Sequence, residues 1–109
     1  DPAHETEAFV AEESGAGESG GKLLGLAHFR AFARPLSAST GGFLDDLFVA
    51  PEARGRAVAD ALVAAVAEEG RARGWTVIRW ITAEDNYRAR AVYDRMSERT
   101  KWVTYDIRL

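Results

Sequence analysis

Two groups of residues in this chain have the types and spacing to do chemistry. The first is Arg54-Gly55-Arg56-Ala57-Val58-Ala59, directly after an apolar run and at the head of an alanine-rich stretch. Two arginines, a glycine and small side chains at the mouth of a helix suit a phosphate. Small residues let the anion approach the backbone, the first helical N–H groups point at it, and guanidinium groups add charge-assisted hydrogen bonds. The plainer alternative is a strand–turn–helix junction with solvated arginines. The second group is Asp45-Asp46, set into the apolar run Phe43 to Val49. Strand alternation predicts that the two carboxylates face opposite sides. Here the alternative is an acid pair that is solvated or held by an arginine.

The elements that must position these residues follow from periodicity. Residues 8–11 read as a short edge strand between acids, and 14–21 as a glycine-rich loop. Leu23 to Ala33 alternates, with Leu23, Gly25, Ala27, Phe29, Ala31 and Ala33 on an apolar face and Leu24, Leu26, His28, Arg30 and Phe32 opposite. Residues 35–42 form a turn, and Phe43 to Val49 a second strong strand. From Pro51 to Gly74 the pattern is helical, with Val58, Leu62, Ala65, Val66 and Glu69 on one stripe; Gly70 weakens its last turns and Gly74 stops it. Residues 75–82 read as a strand. Asp85 or Asn86 caps a second helix reaching about Met96, with Ala89, Val92, Tyr93 and Met96 on one stripe, where Tyr93 reads as a core aromatic. Residues 102–109 alternate as a final strand. The order β–β–β–α–β–α–β predicts one α/β (α+β) domain spanning 1–109.

Composition narrows the function classes. The chain has 109 residues, 47% hydrophobic and 28% charged, in the range of a folded domain. It has no cysteine and two histidines, which removes disulfides, thiolate nucleophiles and cysteine-bound metals, so no metal is expected. The net charge of −3 argues against nucleic acid. It also hides an asymmetry: residues 1–21 hold six acids and no base, while 22–109 hold 14 basic and 11 acidic residues. A basic body beside an acidic edge suits a phosphorylated cofactor and a cationic substrate. The longest apolar run, residues 61–67, is too short to span a membrane, and a cytoplasmic protein is expected.

Arg54-Gly55-Arg56-Ala57-Val58-Ala59 resembles the acyl-CoA-binding motif Gln/Arg-x-x-Gly-x-Gly/Ala of the GCN5-related N-acetyltransferase superfamily, with Ala57 where a glycine is common. Asn86-Tyr87-Arg88-Ala89-Arg90-Ala91-Val92-Tyr93 is similar to the family's Asn-x-x-Ala-x-x-x-Tyr element. The two motifs stand in the right order with a strand between them, and the likeness covers about residues 43–97. It implies a mixed, largely antiparallel sheet with flanking helices, splayed between the strands at 43–49 and 75–82 to take the pantetheine arm of acetyl-CoA. The cofactor residues it implies are Phe48, Val49, Arg54, Gly55, Arg56, Ala57, Val58, Ala59, Asn86 and Tyr93. Backbone amides near Val49 and Ala50 are implied for the carbonyl oxygen as it gains charge.

The resemblance further implies that Tyr93 protonates the departing CoA thiolate. Deprotonating a primary amine of pKa near 10.4 at pH 7 costs about 4.6 kcal/mol, so a base or a water path is useful. LDDLFV resembles the strand of diamine and polyamine acetyltransferases, which implies Asp45 as the base or amine-orienting group. The expected reaction is direct acetyl transfer to a primary amine such as a polyamine or a lysine side chain. The initial strand and helices usual in the family are missing ahead of the first strand. With one clear strand after the second helix, pairing with a second subunit as a homodimer is open. His28 reads as structural or surface, and Trp75, Trp80 and Trp102 as core or interface. The rival reading is a CoA-binding or structural module without turnover. A nucleotide binder is disfavoured, because neither GxxxxGK[ST] nor GxGxxG occurs.

Overall fold

The computed structural model describes residues 5–13, 22–55 and 57–109. The glycine-rich stretch 14–21, the first four residues and Arg56 lie outside the described residues. Strands β1 (Glu7–Glu12), β2 (Leu23–Arg34) and β3 (Ser39–Val49) form an antiparallel meander, and β4 (Ile78–Arg79) adds to β3 in parallel, giving the order β1-β2-β3-β4. Helices α1 (Val58–Arg73) and α2 (Tyr87–Met96) complete the fold. The expected mixed, largely antiparallel sheet with flanking helices is what forms, and β1 takes the edge position.

Alternation in β2 decides where the core sits. Gly25, Ala27 and Phe29 are buried as expected, but Leu23, on the same face, is 47% exposed at the strand's start. Against them packs the stripe of α1, with Val58, Leu62, Val63 and Val66 buried. Phe29 also stacks on Phe9 of β1, with ring centroids 5.2 Å apart, and meets Trp75 edge-on. Trp75 explains Gly70: a Cβ there would lie 3.0 Å from both the Trp75 ring and Ile78. What reads locally as a weak point in the helix is room for an indole. Gly74 then ends α1 in the left-handed region (φ 77°), with its own N–H on Arg71 O and Trp75 N–H on Gly70 O. Arg73 clamps this end to β1, bonding both carboxylate oxygens of Glu7 at 2.6 Å and Glu69 at 2.8 Å. That pairing holds the Glu7 carboxyl below its usual range.

Four local expectations change. The strand β3 begins at Ser39, because Gly41 and Gly42 extend its pairing with β2 instead of closing a turn. Pro51–Ala53 is a separate 3-10 turn, and α1 starts only at Val58, after Arg54 in extended and Gly55 and Ala57 in left-handed conformation. Only Ile78–Arg79 of residues 75–82 pairs as a strand. Residues 102–109 form no strand at all: alternation supplies a face but no neighbour, and a strand without a partner leaves its backbone groups unpaired. Trp102 is accordingly 86% exposed rather than part of the protomer's core.

Candidate functional site

The site begins with an irregularity in β3. Ala27 faces Leu47 and His28 faces Asp46, yet Phe29 faces Leu44, so Asp45 is an extra residue in a β-bulge. The bulge breaks alternation and corrects the expectation of opposed carboxylates. His28 and Arg30 share one face of β2; Asp46 lies 3.3 Å from His28 Nδ1, and Arg30 Nε donates to both oxygens of Asp45 at 3.1 Å. Both acids therefore meet the same face. Arg30 is itself braced over the Phe43 ring at 4.9 Å. The alternative of an acid held by an arginine is what Asp45 shows, though sequence reasoning did not name Arg30 and gave His28 no partner. The available signal was two basic side chains opposite two acids on neighbouring strands.

Between this bulged segment and residues 80–82 opens a cleft of about 190 Å³. Its lining brings together Asp45, Asn86 and Tyr93, with Trp80 and Thr82 added. Asn86 is the cap of α2: its Oδ1 accepts from Ala89 N–H at 3.4 Å, while its Nδ2 donates to Thr82 Oγ1 at 3.4 Å. Tyr93 is fixed by the edge-on Trp80 ring, centroids 5.3 Å apart, and is only partly exposed. The hydroxyl is protonated at neutral pH, as a phenol ordinarily is, and burial pushes its pKa further up. Among the described residues nothing hydrogen-bonds that hydroxyl.

Beyond the C-terminal end of β3 lies the turn into α1. Helix α1 has no side-chain cap on its first N–H groups. Gly55 (φ 83°) and Ala57 (φ 59°, ψ 27°) both hold left-handed backbone, the latter without a glycine's freedom. A Cβ on Gly55 would meet nothing within 4 Å, so its conformation, not crowding, calls for glycine. Arg54 forms no ion pair among the described residues and is exposed. Val58 buries its side chain in the core and Ala59 is half-buried, so both present backbone to the turn. An uncapped helix start beside a free guanidinium and an open glycine fits a pyrophosphate.

Not every expected residue converges. Phe48 is 51% exposed, and neither it nor Val49 lines the cleft. The Ala50 amide is engaged, donating to Leu24 O at 2.8 Å, so it is not free to meet a carbonyl oxygen. Among the described residues no group of histidines and acids could hold a metal, and no helix is long and apolar enough to cross a membrane.

Comparison with known proteins agrees with the fold. The model of the acetyltransferase (GNAT) family matches residues 2–97, and the chain belongs to that family. The ribosomal-protein-alanine N-acetyltransferase of Brucella melitensis biovar Abortus 2308 superposes with a TM-score of 0.79 at 24% identity, over 95% of this chain and 71% of its own. A probable acetyltransferase superposes at 0.80 with 27% identity, over 96% and 68%. AAC(6')-Iy, solved with the bisubstrate analogue CoA-S-monomethyl-acetylneamine, gives 0.78 with 25% identity, over 97% and 70%. No curated protein matches the chain. Members of the family use acetyl-CoA, and the last of these neighbours carries a CoA analogue.

Proposed function

We propose that this chain is an acetyl-CoA-dependent N-acetyltransferase that moves the acetyl group directly to a primary amine, with a polyamine or a lysine side chain as acceptor. One observation carries the reading: Asp45, Asn86 and Tyr93, from a strand, a cap and a helix, line one cleft at the C-terminal half of β3. Arg54, Arg56 and the first amides of α1 at Val58 and Ala59 would hold the pyrophosphate, with Gly55 and Ala57 shaping the turn. Phe48, Val49 and Asn86 would flank the arm that reaches the cleft. When bound, acetyl-CoA supplies an activated thioester.

The protein's own side chains then do three things. Tyr93 Oη, protonated at neutral pH and unbonded among the described residues, would donate a proton to the leaving sulfur. Trp80 fixes the ring that carries it. Asp45 orients the amine rather than deprotonating it, because Arg30 already bonds both its oxygens. A primary ammonium entering the cleft would share that carboxylate with Arg30 and lose one proton to solvent water. The free amine would then form the new C–N bond as the C–S bond breaks, and the nitrogen's second proton would leave to water and replace the one Tyr93 gives the sulfur.

A CoA-binding module without turnover is the second reading, and the engaged Ala50 amide is the observation that favours it. Calorimetric titration with acetyl-CoA, followed by an amine panel starting from polyamines, separates the two. Saturable binding weakened about tenfold by Arg54→Ala, together with acetylated product, supports the enzyme; a tenfold loss equals about 1.4 kcal/mol. Binding without product on any amine supports the module. Unchanged affinity in Arg54→Ala removes the turn from the cofactor site.

A further inference from the structure

The two carboxylates of the cleft have partners of different chemistry. Arg30 Nε donates to both oxygens of Asp45 at 3.1 Å, and a guanidinium keeps its charge across the working pH range. Asp45 and Arg30 therefore sum to no net charge. Asp46 is joined instead to His28, whose Nδ1 lies 3.3 Å from Oδ2, and its Oδ1 hydrogen-bonds to nothing among the described residues. The Asp46 side chain is 70% exposed, against 29% for Asp45. Both acids line the same cleft, and no other residue of its lining is charged at neutral pH.

While His28 is neutral, the unbalanced charge in the cleft is that of Asp46. A proton on the imidazole turns the contact into an ion pair and brings Asp45, Arg30, Asp46 and His28 together to zero. Histidine is the side chain whose charge ordinarily changes between pH 5 and 8. Little around the ring masks that change. On the face that His28 shares, β1 sets Ala8 and Val10, and β3 sets Asp46 and Phe48. On β2 itself the neighbours are Leu26 and Arg30, and the charge of Arg30 is held by Asp45.

We propose that His28 controls the entry of cationic acceptors through Asp46. With the imidazole neutral, the free oxygen of Asp46 draws an ammonium into the cleft beside Asp45. With the imidazole charged, His28 takes the ammonium's place as the partner of Asp46, and the cleft loses its net attraction for a cation. Asp46 is thus the residue that selects for positive charge, and His28 is a positioning residue that acts through it. The inference rests on the reading of this cleft as the acceptor's site and adds the control of that site.

Turnover does not isolate this effect, because the free-amine fraction itself falls about tenfold per pH unit below the amine's pKa. Binding does. The test is an NMR titration with 1,4-diaminobutane at about pH 6 and about pH 8, with CoA present throughout. It is followed at the backbone amides of Leu47 and Thr82, which line the cleft. The probe keeps its ammonium charges at both pH values. The parent chain should bind it about fivefold more weakly at the lower pH. His28→Gln should hold the tighter affinity at both pH values, and His28→Lys the weaker one. Asp46→Asn should bind weakly at both. Opposite effects of glutamine and lysine at one partly exposed position are not what a purely structural histidine gives. Equal affinity of the parent at both pH values, a pH dependence that survives in His28→Gln, or full affinity in Asp46→Asn overturns the proposal and leaves acetyl transfer standing. A diamine that binds at neither pH also overturns it, and acetylated product from the amine panel then tells whether the acceptor reading has failed as well.

Discussion

The two ends of this chain are built on different terms. Among the described residues, every buried apolar residue of the core lies between Leu24 and Val66, on β2, on β3 and the 3-10 turn that follows it, and on α1. No residue after Gly70 is buried, yet Trp80, Ile81, Thr82, Asn86 and Tyr93 from that stretch form one whole side of the cleft. The first region resists deformation because its side chains interdigitate. The second is held by a few local devices: the Asn86 cap, the Trp80–Tyr93 contact and Ser97 Oγ donating to Tyr93 O at 2.6 Å. The cleft sits on the seam between them, with the Asp45 bulge on the rigid side and Tyr93 on the lightly packed one.

Substitutions should separate the two regions. The largest effect belongs to the core: Phe29→Ala removes a side chain that is 1% exposed and should cost about 3–5 kcal/mol in chemical denaturation. Tyr93→Phe should leave stability within about 1 kcal/mol and lower turnover roughly 100-fold or more, read from steady-state kinetics with acetyl-CoA affinity measured in parallel. Equal losses of stability in both variants would erase the contrast. Ala57→Gly, which relieves left-handed backbone at the head of α1, should raise stability by about 0.5–1 kcal/mol.

The smallest effect concerns pH. Glu7 titrates below its ordinary value because Arg73 bonds it. Its contribution is therefore present above about pH 4.5 and is lost as pH falls through the lower folded value. Both partners are more than a third exposed or close to it, so the effect is a few tenths of a kcal/mol. Acid titration of stability in Arg73→Gln should be flatter over that window than in the parent.

The sequence made the rigid region readable because its cause is local. Alternation in 23–33 and the Val58, Leu62, Val66 stripe each announce a face without reference to any partner. The loosely packed region was readable only as an order of elements. The Asp45 bulge depends on how β3 registers against β2, a relation between residues 15 to 20 apart that no window along one strand contains. Gly70 could be understood only once Trp75 was seen to lie against it. The alternation of 102–109 was visible, but the neighbour that would make it a strand was not. Of the site, the positions of Asn86 and Tyr93 on one helix were legible through motif spacing. Arg30's grip on Asp45 was not, because it spans two strands.

The bulge also acts as a ruler. Downstream of Asp45 every residue of β3 sits one place further along than strict alternation would put it, up to Val49 and the turn that follows. Deleting that one residue would restore a regular ladder, yet it would remove Arg30's partner and draw Asp46 and the helix entrance back by about 3.3 Å along β2. Loops absorb a length change of one residue; here the place of the helix entrance against His28 and Arg30 is counted out on a hydrogen-bonded lattice. Any related chain that shortens or lengthens this strand by one must therefore re-space the two halves of its site together.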